Sequence, residues 1–350
     1  MEIRDIKIIG AGPGGLITGL KLLEAGFEPT IIEKQEGIHT TLCGEGLSAD
    51  TLSRVPFRDW SEYAPQKFDK ATFLFPGGYS AYVNKECYTM DRVSWFSAMA
   101  KEFEKRGGTL ELGRKIDNVK DLEYDLLIGA DGPLSVVARH VGNKMQHIPG
   151  VQCRIKHDYE FDGMEFHLDK RYSEEYAWIF AKGDVFNVGV LGSMKQLDAF
   201  MKDKGLDDGE LVDRLGYNVP FFGTKIQEGN IILTGDAAGI TNPLTKGGMA
   251  AIVNVADIIV KCLKEEKINE YQQRVFSHPV MAPEYKLALK YFMELDNKKL
   301  EMAGKMINGK DLGNLDKRTR LKLGLAAAII APHKLKVLMK ATRYAHEYSW

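Results

Sequence analysis

A glycine-rich turn near the start of the chain constrains the fold more than any other feature. The turn, Gly10-Ala11-Gly12-Pro13-Gly14-Gly15, follows the apolar run Ile6–Ile9 and precedes leucines at helical spacing. An apolar strand therefore leads through a tight turn into a helix. This order is typical of a unit that binds a dinucleotide at the N-terminus of the helix.

Each glycine of the turn has a physical role in this prediction. Gly10 permits the tight turn, Gly12 lets the backbone approach a pyrophosphate, and Gly15 lets the helix pack closely on the strand. Pro13 and Gly14 complete the loop, and the free N–H groups of the first helical turn can donate to phosphate oxygens. We therefore assign these five residues to cofactor binding.

A second strand and an acid follow at the expected distance. The helix ends at Gly26, the strand Thr30–Glu33 comes next, and its last residue lies roughly twenty residues after the turn. Such units need a carboxylate at this point to accept hydrogen bonds from an adenosine ribose hydroxyl. We assign Glu33 and the adjacent Lys34 to the same site.

Composition limits what surrounds this unit. The 350 residues are 44% hydrophobic, enough for two or three packed domains, and the net charge of −1 argues against a nucleic-acid partner. The cysteines, Cys43, Cys87, Cys153 and Cys262, form no C-x-x-C pair, so we expect no metal site. The chain opens directly into the first strand, and no apolar run reaches the length of a membrane span, so we expect a cytoplasmic protein.

Two further motifs decide which dinucleotide is bound. Asp131-Gly132 follows the apolar run 125–129, and Gly235-Asp236 follows the apolar run 231–234. Motifs that are far apart in sequence but all lie at strand ends imply one extended ligand along one sheet edge. Taken alone, Asp131-Gly132 is equally compatible with a structural turn.

The second of these motifs favours FAD over NAD. Asp236 can accept hydrogen bonds from a polyol such as ribitol, and Gly247 and Gly248 present N–H groups at the start of a long apolar helix. A reduced flavin carries negative charge around N1 and O2, which the positive end of a helix stabilises. We therefore predict FAD as the cofactor. The residues assigned to it from these motifs are Asp131, Gly132, Gly235, Asp236, Gly247, Gly248 and Met249.

The three motifs resemble the FAD fingerprint, the DG motif and the GD motif of the p-hydroxybenzoate-hydroxylase-like flavoproteins. That superfamily includes aromatic hydroxylases, flavin halogenases and geranylgeranyl reductases. Arg92 resembles the arginine that contacts the flavin in this family, although a surface charge at a helix start would look the same in sequence. The resemblance runs from the first residues to about Leu263.

Two segments narrow the resemblance to the archaeal-type geranylgeranyl reductases, the digeranylgeranylglycerophospholipid reductases. Thr41-Leu42-Cys43-Gly44-Glu45-Gly46-Leu47 is similar to a loop that lies beside the isoalloxazine in that family. This implies flavin contacts for Cys43, Gly44 and Gly46. Tyr176–Gly183 is similar to the signature Y-x-W-x-F-P-x-G, which lines the prenyl tunnel.

The aromatic residues of the second segment alternate. Tyr176, Trp178 and Phe180 therefore point to one face of a strand. Such a stripe is more often plain core, whereas the resemblance implies an apolar substrate channel formed by these residues and Gly183. Ala181 replaces the proline of the signature, so the end of this segment is expected to have a different shape.

Cys43 and Glu45 are the candidate catalytic residues. A free cysteine is usually a small buried hydrophobic residue, but the resemblance places Cys43 at the flavin, where it would contact cofactor or substrate. Glu45 is an alternative proton relay, and is equally compatible with a carboxylate that stabilises its own loop. Lys246 stands where relatives often have glycine, and the sequence does not show what it contacts.

The predicted fold is α/β, a Rossmann-like FAD-binding domain with an inserted, mostly antiparallel β-sheet substrate domain and a helical C-terminal region. The predicted boundaries are 1–60, 87–150 and 223–264 for the discontinuous FAD-binding domain, 61–86 and 151–222 for the substrate domain, and 265–350 for the helical region.

By resemblance, the protein would reduce the double bonds of an isoprenoid with hydride from N5 of reduced FAD. The substrate would be a geranylgeranyl group on an archaeal-type glycerophospholipid or on a prenyl alcohol diphosphate. The external electron donor is left open among a ferredoxin, NAD(P)H and a quinol. The alternatives are an FAD-dependent monooxygenase acting on an aromatic or polyketide substrate, which would need polar groups to orient a phenol, and a flavin electron carrier without a small substrate.

A short apolar segment near the C-terminus bears on localisation. Leu323–Ala331 is too short to span a membrane and is flanked by Lys and Arg residues. It is compatible with peripheral contact at the inner face of the cell membrane, and equally with a terminal helix that docks on the core.

Overall fold

The strands of this protein form two sheets at whose junction the sequence motifs meet. The computed structural model describes residues 3–38, 43–159, 161, 163–317, 319 and 332–348. Within these ranges one sheet has six strands and the other has eight. The strands are β1 (Ile6–Ile9), β2 (Thr30–Ile32), β3 (Gly46–Ser48), β4 (Gln66–Phe75), β5 (Tyr79–Thr89), β6 (Thr109–Glu111), β7 (Leu126–Gly129), β8 (Gln146–Lys156), β9 (Met164–His167), β10 (Ala177–Lys182), β11 (Val185–Leu191), β12 (Glu210–Phe221), β13 (Gln227–Glu228) and β14 (Ile231–Leu233).

Helices follow strands of the first sheet, and the described C-terminal part of the chain is also helical. The α-helices with described bounds are α1 (Pro13–Glu24), α2 (Ala49–Leu52), α3 (Arg92–Lys105), α4 (Val136–Val141), α5 (Met194–Lys204), α6 (Gly235–Ala238), α7 (Met249–Lys264), α8 (Tyr271–Ser277), α9 (Glu284–Met293), α10 (Asn297–Ile307) and α11 (Pro332–Tyr348).

The six-stranded sheet carries the dinucleotide fold. Its order is β13-β14-β7-β1-β2-β6, and the strands are parallel except for β13. The central strands β1, β7 and β14 are short apolar runs that are almost entirely buried, as expected for a parallel sheet covered on both faces. Helix α1 packs against α3 and α7. Because β1, β7 and β14 are parallel, their carboxyl ends lie at one common edge of the sheet.

The eight-stranded sheet is the insertion. Its order is β12-β8-β11-β10-β9-β4-β5-β3, and its pairs are antiparallel except for β4 with β9. Every residue of β10 is buried. The whole of β10 therefore belongs to the core, because the strand lies in the middle of the sheet and has packing partners on both faces.

Two large apolar cores stabilise the two sheets. The first includes Leu16 of α1 and Trp95 of α3, both fully buried, and lies around the six-stranded sheet. The second includes Phe166 and Trp178 of the eight-stranded sheet and Phe200 of α5, which packs on that sheet. Separate cores explain how an inserted sheet can fold on a discontinuous nucleotide-binding unit.

This architecture confirms the predicted fold class, including the helical C-terminal region. The six-stranded sheet takes its strands from 6–32, 109–129 and 227–233, and the eight-stranded sheet takes its strands from 46–48, 66–89 and 146–221. Strand β3 therefore belongs to the eight-stranded sheet although it lies in the first segment predicted for the FAD-binding domain. The domain boundaries stay a prediction.

The apolar C-terminal segment Leu323–Ala331 lies outside the described residues. Among the helices that are described, none combines the length and the apolar character needed to cross a membrane.

Ala181 explains how β10 departs from the family signature. Its backbone N–H donates to the carbonyl of Gly163 at 3.0 Å, and its own carbonyl accepts from the hydroxyl of Thr89 at 3.0 Å. A proline has no N–H to donate. Alanine therefore keeps β10 paired for one more residue, and the strand ends at Lys182 instead.

We expect Ala181→Pro to lower the free energy of unfolding by about 1–3 kcal/mol, because the carbonyl of Gly163, a partly buried residue, would lose its donor. Chemical denaturation monitored by tryptophan fluorescence measures this. Ala181→Ser keeps the N–H and is the matched control. Equal stability of the two variants would show that the hydrogen bond to Gly163 does not stabilise the strand.

Candidate functional site

A cavity of about 870 Å³ lies between the edge of the six-stranded sheet and one face of the eight-stranded sheet. It brings together residues from almost all of the sequence motifs. The predicted site residues that line it are Gly10, Gly12, Pro13, Gly14, Glu33, Lys34, Cys43, Gly44, Glu45, Gly46, Arg92, Asp131, Gly132, Tyr176, Trp178, Phe180, Gly235, Asp236, Gly247, Gly248 and Met249. Its size is that of a site for a large organic ligand.

The glycine turn is shaped by close backbone approaches on one side and by open space on the other. Gly10 has a φ of +102°, and a Cβ at this position would lie 2.6 Å from the Ala130 carbonyl oxygen. A Cβ at Gly15 would lie 1.9 Å from the Gly10 carbonyl oxygen, so only glycine lets α1 begin on top of β1. A Cβ at Gly12 would meet nothing within 4 Å, which leaves room for a phosphate.

Glu33 links the second strand to the glycine turn. Its Oε2 accepts a hydrogen bond from the N–H of Ala11 at 2.8 Å, and its Oε1 accepts one from the N–H of Gln35 at 3.0 Å. Each carboxylate oxygen can accept a second hydrogen bond. Glu33 can therefore hold the turn in place and still accept from a ribose hydroxyl in the cavity.

Asp131 has a structural role at the second motif. Its carboxylate accepts from the hydroxyl of Ser135 at 2.5 Å and from the N–H of Val136 at 2.7 Å, which fixes the start of α4. Burial raises the pKa of Asp131, and these hydrogen bonds oppose the rise. Gly132, with a φ of +81°, turns the chain along the cavity wall. The carboxylate of Asp131 therefore stabilises a structural turn. A contact with the cofactor at this motif is expected instead from the backbone beside it, at Gly132.

Asp236 joins the third motif to the eight-stranded sheet. Its Oδ2 accepts from the hydroxyl of Tyr217 at 2.5 Å, and its Oδ1 accepts from the hydroxyl of Thr241 at 3.1 Å. Burial raises its pKa, although both hydrogen bonds lower it. Tyr217 lies on β12 and also lines the cavity, so a residue of the inserted sheet contacts the aspartate predicted to bind ribitol.

Arg92 is a buried residue of the cavity wall. It is only 6% exposed, and its guanidinium carbon lies 5.0 Å from the centre of the Phe96 ring. A surface charge at a helix start would be solvated instead. The structure therefore favours the interpretation in which this arginine faces the cofactor.

The Cys43–Gly46 loop is held by a buried ion pair. Glu45 has a φ of +65°, and its Oε2 accepts from Lys182 Nζ at 2.5 Å and from Asn187 Nδ2 at 3.0 Å. The Asn187 amide also donates to the Gly44 carbonyl at 2.9 Å. Cys43 is half-buried, and its Sγ accepts from the Glu45 N–H at 3.2 Å. The Glu45 carboxylate is therefore engaged in stabilising its own loop.

The aromatic signature packs directly on this loop. A Cβ at Gly44 would lie 2.7 Å from the Phe180 ring, and one at Gly46 would lie 2.7 Å from Met164 Cε. Trp178 Nε1 donates to Gln152 Oε1 at 3.1 Å, so the polar edge of the indole is satisfied. The two motifs of the geranylgeranyl reductase resemblance thus form one contiguous wall.

Tyr176 ties the aromatic wall to the third motif. It precedes β10, and its hydroxyl donates to the carbonyl of Thr245 at 2.7 Å. Burial raises its pKa well above the ordinary value, so the phenol is neutral and acts as a donor. The ring contacts Phe166 and Trp178 with centroid distances of 5.6 and 6.1 Å.

Two predicted residues do not line the cavity. Gly15 instead lies against the Gly10 carbonyl and fixes the start of α1, which is the packing role expected for it. Gly183 is exposed, has a φ of +60°, and forms the turn between β10 and β11, where its N–H donates to Gln66. The structure thus places Gly183 in a turn outside the cavity lining, and its predicted substrate contact stays a prediction.

Sequence reasoning missed Phe166 and Tyr217 of the cavity wall, which lie on strands of the insertion without a motif of their own. It also missed Lys182, which does not line the cavity but pairs with Glu45. Lys182 alone carried a signal, because a lysine directly after the aromatic stripe of a buried strand needs a partner. Tyr217 could not be found, since only the sheet order brings β12 to Asp236.

Comparison with known proteins agrees with this geometry. A family model described as FAD binding domain matches residues 4–55, which include the glycine turn and Glu33. Digeranylgeranylglycerophospholipid reductase 3 of Methanosphaera stadtmanae is 26% identical over 96% of this chain and 98% of its own length. Digeranylgeranylglycerophospholipid reductase 1 of Methanopyrus kandleri is 28% identical over 77% of this chain and 85% of its own length. Along nearly its whole length this chain is therefore similar to proteins named digeranylgeranylglycerophospholipid reductases. The predicted resemblance and the predicted FAD cofactor are confirmed.

Solved structures show the same fold. A geranylgeranyl bacteriochlorophyll reductase-like protein from Thermoplasma acidophilum has a TM-score of 0.80 at 21% identity, covering 96% of this chain and 98% of that one. The p-nitrophenol 4-monooxygenase of Pseudomonas putida DLL-E4 has a TM-score of 0.63 at 17% identity, covering 97% of both chains. Identities this low concern the fold alone.

The residues present fit FAD. The open side of Gly12 and the N-termini of α1 and α7 face one continuous cavity, which offers N–H groups to a pyrophosphate and to a flavin at two separate points. Across the described ranges, no cluster of three or more His, Cys, Asp or Glu side chains could hold a metal ion.

Two alanine substitutions in the glycine turn should separate folding from cofactor binding. We expect Gly12→Ala to leave the stability of the apoprotein unchanged but to weaken FAD binding about tenfold or more, because its methyl group occupies the phosphate position. Gly15→Ala should destabilise the apoprotein itself, since its Cβ would overlap the Gly10 carbonyl. Thermal unfolding of the apoprotein and FAD titration by flavin fluorescence measure both effects. Equal stability of the two apoproteins would contradict the packing argument.

A third substitution tests the buried pair in the Cys43–Gly46 loop. Lys182→Met should lower the free energy of unfolding by about 3–5 kcal/mol, because it leaves the Glu45 carboxylate buried without its partner. Adding Glu45→Gln to that variant should restore part of the loss. Lys67→Met, which removes a solvent-exposed pair with Glu86, is the control and should have no measurable effect. A Lys182→Met protein as stable as this control would show that the pair does not hold the loop.

Proposed function

We propose that this protein is a reductase that uses FAD to saturate geranylgeranyl double bonds, with an archaeal-type glycerophospholipid precursor as substrate. One observation carries this proposal: the aromatic wall formed by Tyr176, Trp178 and Phe180 and the FAD motifs line the same cavity. A prenyl chain is apolar and flat at its double bonds, so an aromatic wall beside the flavin position can hold it by van der Waals contact. The names of the relatives from Methanosphaera and Methanopyrus support the same substrate class.

When bound and reduced, FAD would supply hydride to one carbon of the double bond, and a proton would reach the other carbon to complete the saturation. The chain's own residues do the rest of the work in this proposal. The N-termini of α1 and α7 bind the negative charges of the cofactor, and the aromatic wall excludes water and orients the lipid. Because an isolated double bond offers no polar handle, positioning supplies much of the rate.

The Cys43–Gly46 loop has a positioning role in this proposal. Glu45 is paired with Lys182 and Asn187, so its carboxylate fixes the loop. The Cys43 thiol lies in the cavity wall, where it contacts flavin or lipid. The electrons come from an external donor, a ferredoxin or NAD(P)H, since the sequence holds one dinucleotide fingerprint. Reaching a lipid substrate would require peripheral contact with the membrane.

An anaerobic single-turnover experiment tests the proposed function. The purified holoprotein is reduced with dithionite, a geranylgeranyl glycerophospholipid in detergent is added, and flavin absorbance and lipid mass are followed together. We expect reoxidation without oxygen, with the lipid gaining two hydrogens for each flavin reoxidised. If the flavin stays reduced until oxygen is admitted, and an aromatic compound is then hydroxylated, the protein is a monooxygenase and the proposal is wrong.

A variant of the aromatic wall provides a second test. Trp178→Leu should slow the lipid-dependent reoxidation about tenfold or more, because the lipid loses a rigid contact surface beside the flavin. The rate of reduction by dithionite should stay unchanged. Trp60→Leu is the matched control, because Trp60 packs on Tyr88 away from the cavity. If Trp178→Leu and the control react at the same rate, the wall does not bind the substrate.

A further inference from the structure

A buried ion pair lies beside the loop that begins α7, and none of the roles described above uses it. Lys246 Nζ lies 2.5 Å from Glu175 Oε2, and both side chains are only 4% exposed. The ammonium group also donates to the Pro243 carbonyl and lies 4.6 Å from the centre of the Phe221 ring. We propose that this pair balances the charge beside the bound FAD: each partner alone shifts the reduction potential of the flavin, and pairing cancels the two shifts.

The position of the pair in the fold supports this role. Lys246 lines the cavity and directly precedes Gly247 and Gly248, which also line it. Gly248 is the residue at which α7 begins, and its helix N-terminus faces the place where the negative charge of a reduced flavin is expected. The charge of the flavin itself changes most in this part of the cavity when the cofactor is reduced. A charge on Lys246 or Glu175 therefore acts where the oxidised and the reduced cofactor differ most in charge.

The backbone shows that a lysine at this position is not favoured by the turn itself. Lys246 has a φ of +52°, a conformation that glycine adopts without strain. The turn is closed by hydrogen bonds from Lys246 N–H to the Asn242 carbonyl at 2.9 Å and from Asn242 N–H to the Gly247 carbonyl at 3.0 Å. These bonds need no particular side chain at 246. The ion pair with Glu175 is what the lysine adds.

The two charges depend on each other. Burial lowers the pKa of Lys246 and raises the pKa of Glu175, and each partner opposes the shift of the other. As a pair they add no net charge to the cavity. Removing one partner, at a pH where the other stays ionised, leaves a single charge in a poorly solvated region, where it acts strongly on a nearby flavin. The signs are opposite: the carboxylate alone disfavours an anionic reduced flavin, and the ammonium alone favours it.

The test is a reductive titration of the purified FAD-loaded protein at one pH, with dithionite and an indicator dye of known potential. At one fixed solution potential, the ratio of reduced to oxidised flavin should be about tenfold lower in Lys246→Met than in the parent protein, and about tenfold higher in Glu175→Gln. For a two-electron couple, a factor of ten corresponds to about 30 mV. The double variant, Lys246→Met with Glu175→Gln, should lie close to the parent because it again carries no net charge.

Shifts of opposite sign are the decisive result, since a merely structural role would move both single variants in the same direction. Shifts of the same sign, or no shift in either variant, would overturn the proposal. Lys225→Met, which removes an exposed pair with Glu228, is the control and should leave the potential unchanged. The ratio of flavin to protein absorbance shows that each variant retains FAD. If Lys246→Met loses the cofactor, Glu175→Gln and the double variant decide.

The proposal depends on FAD binding and not on the identity of the lipid. The titration contains no lipid, so a failure of the charge argument leaves the reductase proposal intact. Conversely, a protein that does not reduce geranylgeranyl chains can still show the opposite shifts in potential.

Discussion

The close packing of α1 on β1 is the constraint on which the rest of this structure depends. At Gly15 the helix approaches the Gly10 carbonyl so closely that no side chain fits between them. The N-terminus of α1 consequently lies at the carboxyl edge of the parallel sheet, beside Ala130 and Gly235, which end or follow the neighbouring strands. Three motifs far apart in the chain meet there because parallel strands place their carboxyl ends on one edge.

The inserted sheet is joined to this edge through both ends of one strand. Glu175, just before β10, pairs with Lys246 of the loop that leads into α7, and Lys182, the last residue of β10, pairs with Glu45 of the Cys43–Gly46 loop. The aromatic wall lies between these two pairs. Since both pairs are buried, each is costly to break, and together they hold the wall against the cofactor loops.

Sequence reasoning predicted residues that the structure brings together, but not how they interact. Residues 10–14 of the glycine turn, Glu33, the Gly235-Asp236 motif and the aromatic stripe all line one cavity. Two points could not be settled from sequence. The sequence leaves Glu45 open between a proton relay and a loop acceptor, and it does not show that Lys182 and Asn187 donate to the Glu45 carboxylate. The contacts of Lys246 were unknown because its partner lies about seventy residues away, on the inserted sheet.

By itself, the sequence determined the local units: the strand, turn and helix that bind a dinucleotide, the choice of FAD, and an apolar strand with alternating aromatic residues. These follow from spacing within a few residues, because turn geometry and side-chain periodicity are local properties. Only the tertiary structure decided which charges are paired, that Gly183 belongs to a turn, and that Tyr217 reaches Asp236. Those contacts join residues from different strands and sheets, and their energies depend on burial, which a local pattern does not contain.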